Sequence, residues 1–165
     1  MKDYRFCPLC GAGLGQRPVD GRIRPACSSE LCDFVYWNNP VPVVAAIIEL
    51  EGRVLLVRSA GWPAGMFGLV TGFLESGETP EEGVVREIRE ETGLSANEPR
   101  FLGCFSFHQA NQLLLGFHVR ASGSLVLSDE LVESRLVERE RLKAWPFGTG
   151  VIVRSWLESS AKDVF

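Results

Sequence analysis

No stretch of this chain approaches the ~18 uninterrupted apolar residues that a membrane-crossing helix requires, which argues against a helical membrane protein. Its first residues, MKDYR, are polar and lack the apolar core of a secretory signal, so a cytoplasmic protein is expected. Positive charge is also scarce: 17 Lys and Arg stand against 21 Asp and Glu, a net charge of −4. Bulk electrostatics therefore do not favour nucleic acid as a partner. Arg17, Arg22 and Arg24 form a local basic group, read as the solvated tip of a hairpin. Repeats and low-complexity tracts are absent from the 165 residues, a length that holds one small metal-stapled module and one domain with its own core.

What the chain does have is concentrated between Gly72 and Leu94, GFLESGETPEEGVVREIREETGL. Thr79-Pro80-Glu81-Glu82 has the chemistry of a helix start: a capping hydroxyl, proline in the first turn and acids at the positive end of the dipole. Gly93 ends the helix. At ~100° per residue, Glu87, Glu90 and Glu91 fall within an arc of about 100°, while Val84, Val85 and Ile88 lie on another side and can pack on a core. Carboxylates crowded so closely repel one another unless a cation sits among them, and hard oxygen ligands suit Mg²⁺ or Mn²⁺. Glu78 and Arg86 can pair and hold the preceding loop against the helix. A merely solvated acidic face is the plain alternative.

A second signal lies near the N-terminus, where Cys7-Pro-Leu-Cys10-Gly11 precedes Cys27-Ser-Ser-Glu-Leu-Cys32. Two close cysteine pairs at this spacing fit a tetrahedral structural Zn²⁺ site, with Gly11 letting the backbone turn round the metal. Disulfides are the competing reading, against which stand the missing secretory signal and the unpaired Cys104. Cys104, within FLGCFSF, is expected to be a small buried core residue.

Gly72, Glu78, Arg86, Glu87, Ile88, Glu90, Glu91, Gly93 and Leu94 fill every fixed position of the Nudix hydrolase box: a glycine, five residues, a glutamate, seven residues, then R-E-U-x-E-E-x-G-U with U aliphatic. The resemblance implies an α/β fold, the Nudix α/β/α sandwich, and metal-dependent hydrolysis of a nucleoside diphosphate linked to another group. It also implies that Glu87, Glu90 and Glu91 bind the metal together with the carbonyl of Thr71, and that Glu78 and Arg86 orient them. The base that takes the proton of the attacking water varies in the family; Glu91, Glu87 or an acid outside the box can serve. Glu133, in SDELVESRLVERE, is the outside candidate for the metal site, its plain reading being an exposed glutamate.

Element signals place a zinc ribbon over residues 1–37 and the hydrolase domain over 38–165, joined by Asn38-Asn39-Pro40 and Pro42. Expected strands cover Pro42 to Leu50 and Arg53 to Arg58, turned at Glu51-Gly52, then Met66 to Thr71, Arg100 to His108, Gln112 to Ala121 and a short Leu136-Val137. Arg139 to Ala144 reads as a helical turn. Gly150 to Ala161 reads as a C-terminal helix with Val151, Ile152, Trp156 and Leu157 on its apolar side.

A zinc ribbon ahead of a Nudix domain resembles the NADH pyrophosphatase branch and related short proteins acting on FAD or ADP-ribose. Those NADH pyrophosphatases carry SQPWPFPxS soon after the box, whereas this chain has FSFHQANQLLLGF, so specificity for NADH is not implied. The expected substrate is a small nucleotide: a dinucleotide such as NADH or FAD, ADP-ribose or a nucleotide sugar. Phe73 follows the first box glycine and can stack on a flat ring, or serve as core. Trp62 and Phe67 flank the loop AGWPAGMFG and are the other candidates for substrate contact, with covering the core as their alternative. His108 and Gln109 are weaker ones. Relatives also imply a homodimer. The competing class is a non-catalytic nucleotide sensor or nucleic-acid-binding zinc-ribbon adaptor.

Overall fold

The computed structural model describes residues 4–160. The chain forms two compact units, one ending at Asn39 and the other beginning at Pro40. In the first, β1 (Leu14–Val19) and β2 (Arg22–Cys27) pair antiparallel, Leu14 opposite Cys27. Asp20 and Gly21 both take positive φ, 49° and 74°, the twist a two-residue hairpin needs.

The second unit is built on β3 (Val41–Leu50), β4 (Arg53–Ser59), β5 (Val70–Phe73), β6 (Ser95–Phe107), β7 (Gln112–Ser122) and β8 (Leu131–Val137). Its six-stranded sheet runs β6-β7-β3-β4-β8, with β5 also paired to β3. β3 and β7 are parallel; the other pairings are antiparallel. Along β3 the start (Val43 to Ala46) pairs with β5 and the end (Ile48 to Leu50) with β4, so both strands share one flank of β3.

Strict alternation on β3 divides the core. Val44, Ala46, Ile48 and Leu50 face one cluster together with Val84 and Ile88 of helix α1 (Pro80–Thr92). Val43, Ala45 and Ile47 face the other, with Ile152, Val153 and Trp156 of helix α2 (Gly150–Ser160). A strand buried on both sides reads as a continuous apolar run, as VVAAII does here. The sheet thus lies between two helices, the α/β/α sandwich expected from the sequence, and the cysteine-bearing hairpin precedes it in the chain. No described helix is long and apolar enough to cross a membrane.

Several expectations shift. The strand placed at Met66 to Thr71 is shorter and later, Val70–Phe73, because the chain turns at Pro63 to Met66 and passes Gly65 with φ 82°. β6 starts at Ser95, ahead of the expected Arg100. β8 runs seven residues rather than two, since its whole length pairs with β4. On α2, Val151 faces solvent and Val153 is buried in its place; Ala161 lies outside the described residues. Cys104 is exposed, not core, because it sits on β6, the free edge of the sheet.

Phe117, fully buried in the α1-side cluster, is the largest side chain there. Phe117→Ala should cost about 3–5 kcal/mol of stability, read as a lowered denaturation midpoint.

Candidate active site

The start of α1 follows from a reciprocal pair of hydrogen bonds. The Glu82 N–H donates to Thr79 Oγ1 at 3.2 Å, and the Thr79 N–H donates to Glu82 Oε2 at 2.8 Å. Gly93 closes the helix at φ 68°, its N–H donating to the Arg89 carbonyl at 2.9 Å. Between these caps Glu87, Glu90 and Glu91 are carried rigidly toward one cleft.

Arg86 is the centre of the cluster. Its Nε and NH2 donate to the two oxygens of Glu78 at 3.0 and 2.8 Å, a bidentate pair. NH1 donates to Glu87 Oε1 at 2.8 Å and Glu90 Oε2 at 3.0 Å, and NH2 also reaches the Phe73 carbonyl at 3.1 Å. One guanidinium therefore ties the box loop, the end of β5 and two helix acids together. A methyl at Gly72 would run into the Glu87 carboxylate and force it to move.

The carboxyls do not share one electrostatic setting. The Arg86 guanidinium, followed by the Glu75 N–H, holds Glu78 well below its ordinary range, at about 2. Glu91 goes the other way: burial first, then the charges of Glu87, Glu130 and Glu90, push it up to about 7. Glu91 therefore resists ionisation among its acidic neighbours, and a cation beside it would relieve that repulsion.

These acids form one end of a cleft of about 740 Å³. Thr71, Gly72, Phe73, Arg86, Glu87, Glu90 and Glu91 line it, with Trp62 and Phe67 on the wall contributed by the loop before β5. Phe73 is 60% exposed, so it is not a core residue. Glu78 stands behind the cleft as the partner of Arg86. Glu133 does not line it: its carboxylate is taken by Arg58 Nε at 3.0 Å. Glu130, three residues earlier and just ahead of β8, lines the cleft instead. The acidic run SDELVESRLVERE signalled an acid from this region; which one depends on the register of β8 against β4.

Further wall residues went unread in the sequence, among them Phe107, Gln112, Trp145 and Phe147. His108 and Gln109 lie in the 3₁₀ turn between β6 and β7 and are not among the lining residues, whereas their neighbours Phe107 and Gln112 are. Trp145 and Phe147 precede α2, and only the packing of that helix brings them to the cleft.

In the first unit the four cysteine sulfurs lie within 4.8 Å of one another. Cys7 and Cys32 are 3.7 Å apart and Cys10 and Cys27 are 3.4 Å apart, all as free thiols. Sulfurs held at roughly 2.3 Å from a tetrahedral zinc stand at such separations, which are too long for disulfide bonds.

The fold and this acid-lined cleft define a hydrolase of the Nudix class. The NUDIX domain model matches residues 38–154, and the chain belongs to the Nudix hydrolase family, whose enzymes use divalent metals. The chain is 31% identical over 149 residues to an NAD-capped RNA hydrolase of Macaca fascicularis, covering 84% of this chain and 32% of that protein. It is 26% identical to an NAD-capped RNA hydrolase of Stutzerimonas stutzeri, covering 88% of this chain and 52% of the relative. The chain thus spans from a third to about half of the length of these relatives. Among solved structures, a NUDIX hydrolase from Nitrosomonas europaea matches with a TM-score of 0.79 and 25% identity, over 96% of this chain and 92% of that one.

Two outcomes are expected. Gly72→Ala should leave the protein folded by circular dichroism while displacing Glu87 and abolishing hydrolysis. A carboxyl whose pKa is lowered on folding stabilises the protein above its ordinary value and loses that contribution as pH falls. For Glu78 the window runs from 4.5 down to about 2. Glu78→Gln should therefore flatten the acid limb of the stability curve across that window, measured by urea melts.

Proposed function

We propose that the protein hydrolyses the pyrophosphate linkage of a small dinucleotide such as NADH or FAD, or of ADP-ribose or a nucleotide sugar, with Mg²⁺ or Mn²⁺. The observation that carries this reading is that Glu87, Glu90, Glu91 and Glu130 line the same cleft as the rings of Trp62, Phe67 and Phe73. A bound divalent cation would neutralise the phosphate oxygens and favour ionisation of the attacking water. Glu87, Glu90, Glu91 and the Thr71 carbonyl are the residues to hold it, and the raised Glu91 carboxyl fits a group that gains from a nearby cation. Arg86 and Glu78 orient these ligands.

Glu130 takes the place first given to Glu133 as the acid outside the box. It or Glu91 accepts the proton of the water as that water's oxygen bonds to phosphorus, and the bridging P–O bond breaks. Trp62, Phe67 and Phe73 receive the flat rings of the substrate. The dinucleotide reading is supported by the chain's likeness to NAD-capped RNA hydrolases. Breadth beyond NADH draws on the segment that replaces SQPWPFPxS, since Phe107 and Gln112 from that segment line the cleft. Residues 1–37 serve as a ribbon stapled by Zn²⁺ through Cys7, Cys10, Cys27 and Cys32, and residues 38–165 as the hydrolase domain.

A phosphate-release screen over nucleoside-diphosphate compounds with Mg²⁺ or Mn²⁺, followed by identification of the products, tests the reading. Absence of cleavage of every compound with either metal would sink it. Glu91→Gln should lower kcat by about 10²-fold or more with the fold intact. Metal analysis should find about one zinc per chain, and Cys10→Ser should lower that content.

A further inference from the structure

Between Ser59 and Val70 the chain leaves the sheet and forms the cleft wall that carries Trp62 and Phe67. Its internal bonds are those of turns: Trp62 N–H to the Ser59 carbonyl at 3.0 Å and Met66 N–H to the Pro63 carbonyl at 3.1 Å. Gly61, Pro63 and Gly65 leave it little regular structure of its own. What holds it comes from β4 and β8. Gly68 pairs with Val57, and the Ala60 N–H donates to the Glu130 carbonyl at 2.9 Å.

Two arginines complete the support. Arg58 on β4 donates from NH1 to the Trp62 carbonyl at 3.3 Å, and its Nε is held by Glu133 on β8 at 3.0 Å. Two residues further along β8, Arg135 lies over the Phe67 ring, 4.3 Å from its centroid. None of Arg58, Glu133 and Arg135 lines the cleft; Arg58 reaches it through Trp62, Glu133 through Arg58 and then Trp62, and Arg135 through Phe67. The indole of Trp62 is pressed on Gly68, where a methyl would meet it at 2.8 Å, so the loop has little slack toward the sheet.

We propose that Arg58, Glu133 and Arg135 are positioning residues for the substrate, forming a strut behind the Trp62–Phe67 wall that holds both rings ready for a planar group. This rests on the cleft being the substrate site. The strut acts on binding because it touches no carboxylate of the α1 cluster; Glu130, in the turn just before the same strand, acts on the chemistry. A side chain that orders a binding loop before the ligand arrives removes an ordering cost from association. Lysine cannot replace Arg58, since one ammonium does not present the planar fork that serves the Glu133 carboxylate and the Trp62 carbonyl together.

Steady-state kinetics on the best substrate of the screen test the strut. Arg58→Lys and Arg135→Leu should each raise KM about threefold to tenfold, with kcat within about twofold of wild type, as expected for loss of a partly buried charged contact or a cation–π contact. Arg135→Lys should recover part of the loss, because a cation again faces the ring. Glu133→Gln combined with Arg58→Lys should cost less than the sum of the two, since both act through Trp62. Glu130→Gln should lower kcat instead. Unchanged KM in Arg58→Lys and Arg135→Leu, or a fall in kcat alone, would overturn the proposal; thermal melts identify a variant that is unfolded, and the other then decides. Turnover by wild type tests the hydrolase reading separately. If wild type cleaves nothing, the same variants are compared for ADP affinity by equilibrium titration, where a threefold or larger loss supports the strut and equal affinity refutes it.

Discussion

The Arg86 guanidinium is the contact on which the site depends. It neutralises part of a carboxylate cluster that would otherwise repel itself apart, and it does so with a fixed planar geometry. Five bonds, to both oxygens of Glu78, to Glu87, to Glu90 and to the Phe73 carbonyl, join the end of β5, the box loop and α1. Losing Glu78 alone would strip the guanidinium of its bidentate partner and leave the helix acids and the Phe73 carbonyl as its remaining acceptors. The missing side chain at Gly72 belongs to the same arrangement, because a methyl there would displace the Glu87 carboxylate from the place it takes beside Arg86.

The sheet supplies the frame in which that cluster faces a cleft. β3 is buried on both faces, and its flank is shared by β5 at one end and β4 at the other. The chain joining those two strands must leave the sheet plane, and this excursion carries Trp62 and Phe67. Acids from α1 and rings from the excursion thus meet across one opening. β8, paired along β4, serves both: Glu130 in the turn before it lies by the acids, and Glu133 and Arg135 on it lie behind the rings.

Local rules made much of this legible. The capping box, the left-handed Gly93, the Glu51-Gly52 hairpin and the Cys7 to Cys32 spacing each depend on residues close in sequence, so their geometry follows from chain chemistry alone. Glu130 was not legible in this way. Glu130 and Glu133 sit three apart in one acidic run, and only the pairing of Arg58 with Glu133 decides which faces the cleft. Phe107, Trp145 and Phe147 look like ordinary core aromatics until α2 and the β6–β7 turn are packed. Cys104 read as buried because an apolar neighbourhood on a strand suggests a core, but an edge strand can leave such a position uncovered.

The amino-acid sequence by itself determined the helix with its acids on one side, the loop held by Glu78 and Arg86, the four-cysteine ribbon and the Nudix class, because each is encoded by spacing within one or two elements. Tertiary structure decided which outer acid joins the cluster, which rings wall the cleft, and that Glu133 stands behind that wall beside Arg58. Those choices depend on strand register and on packing between distant segments, where a shift of one residue turns a side chain to the other face of the sheet.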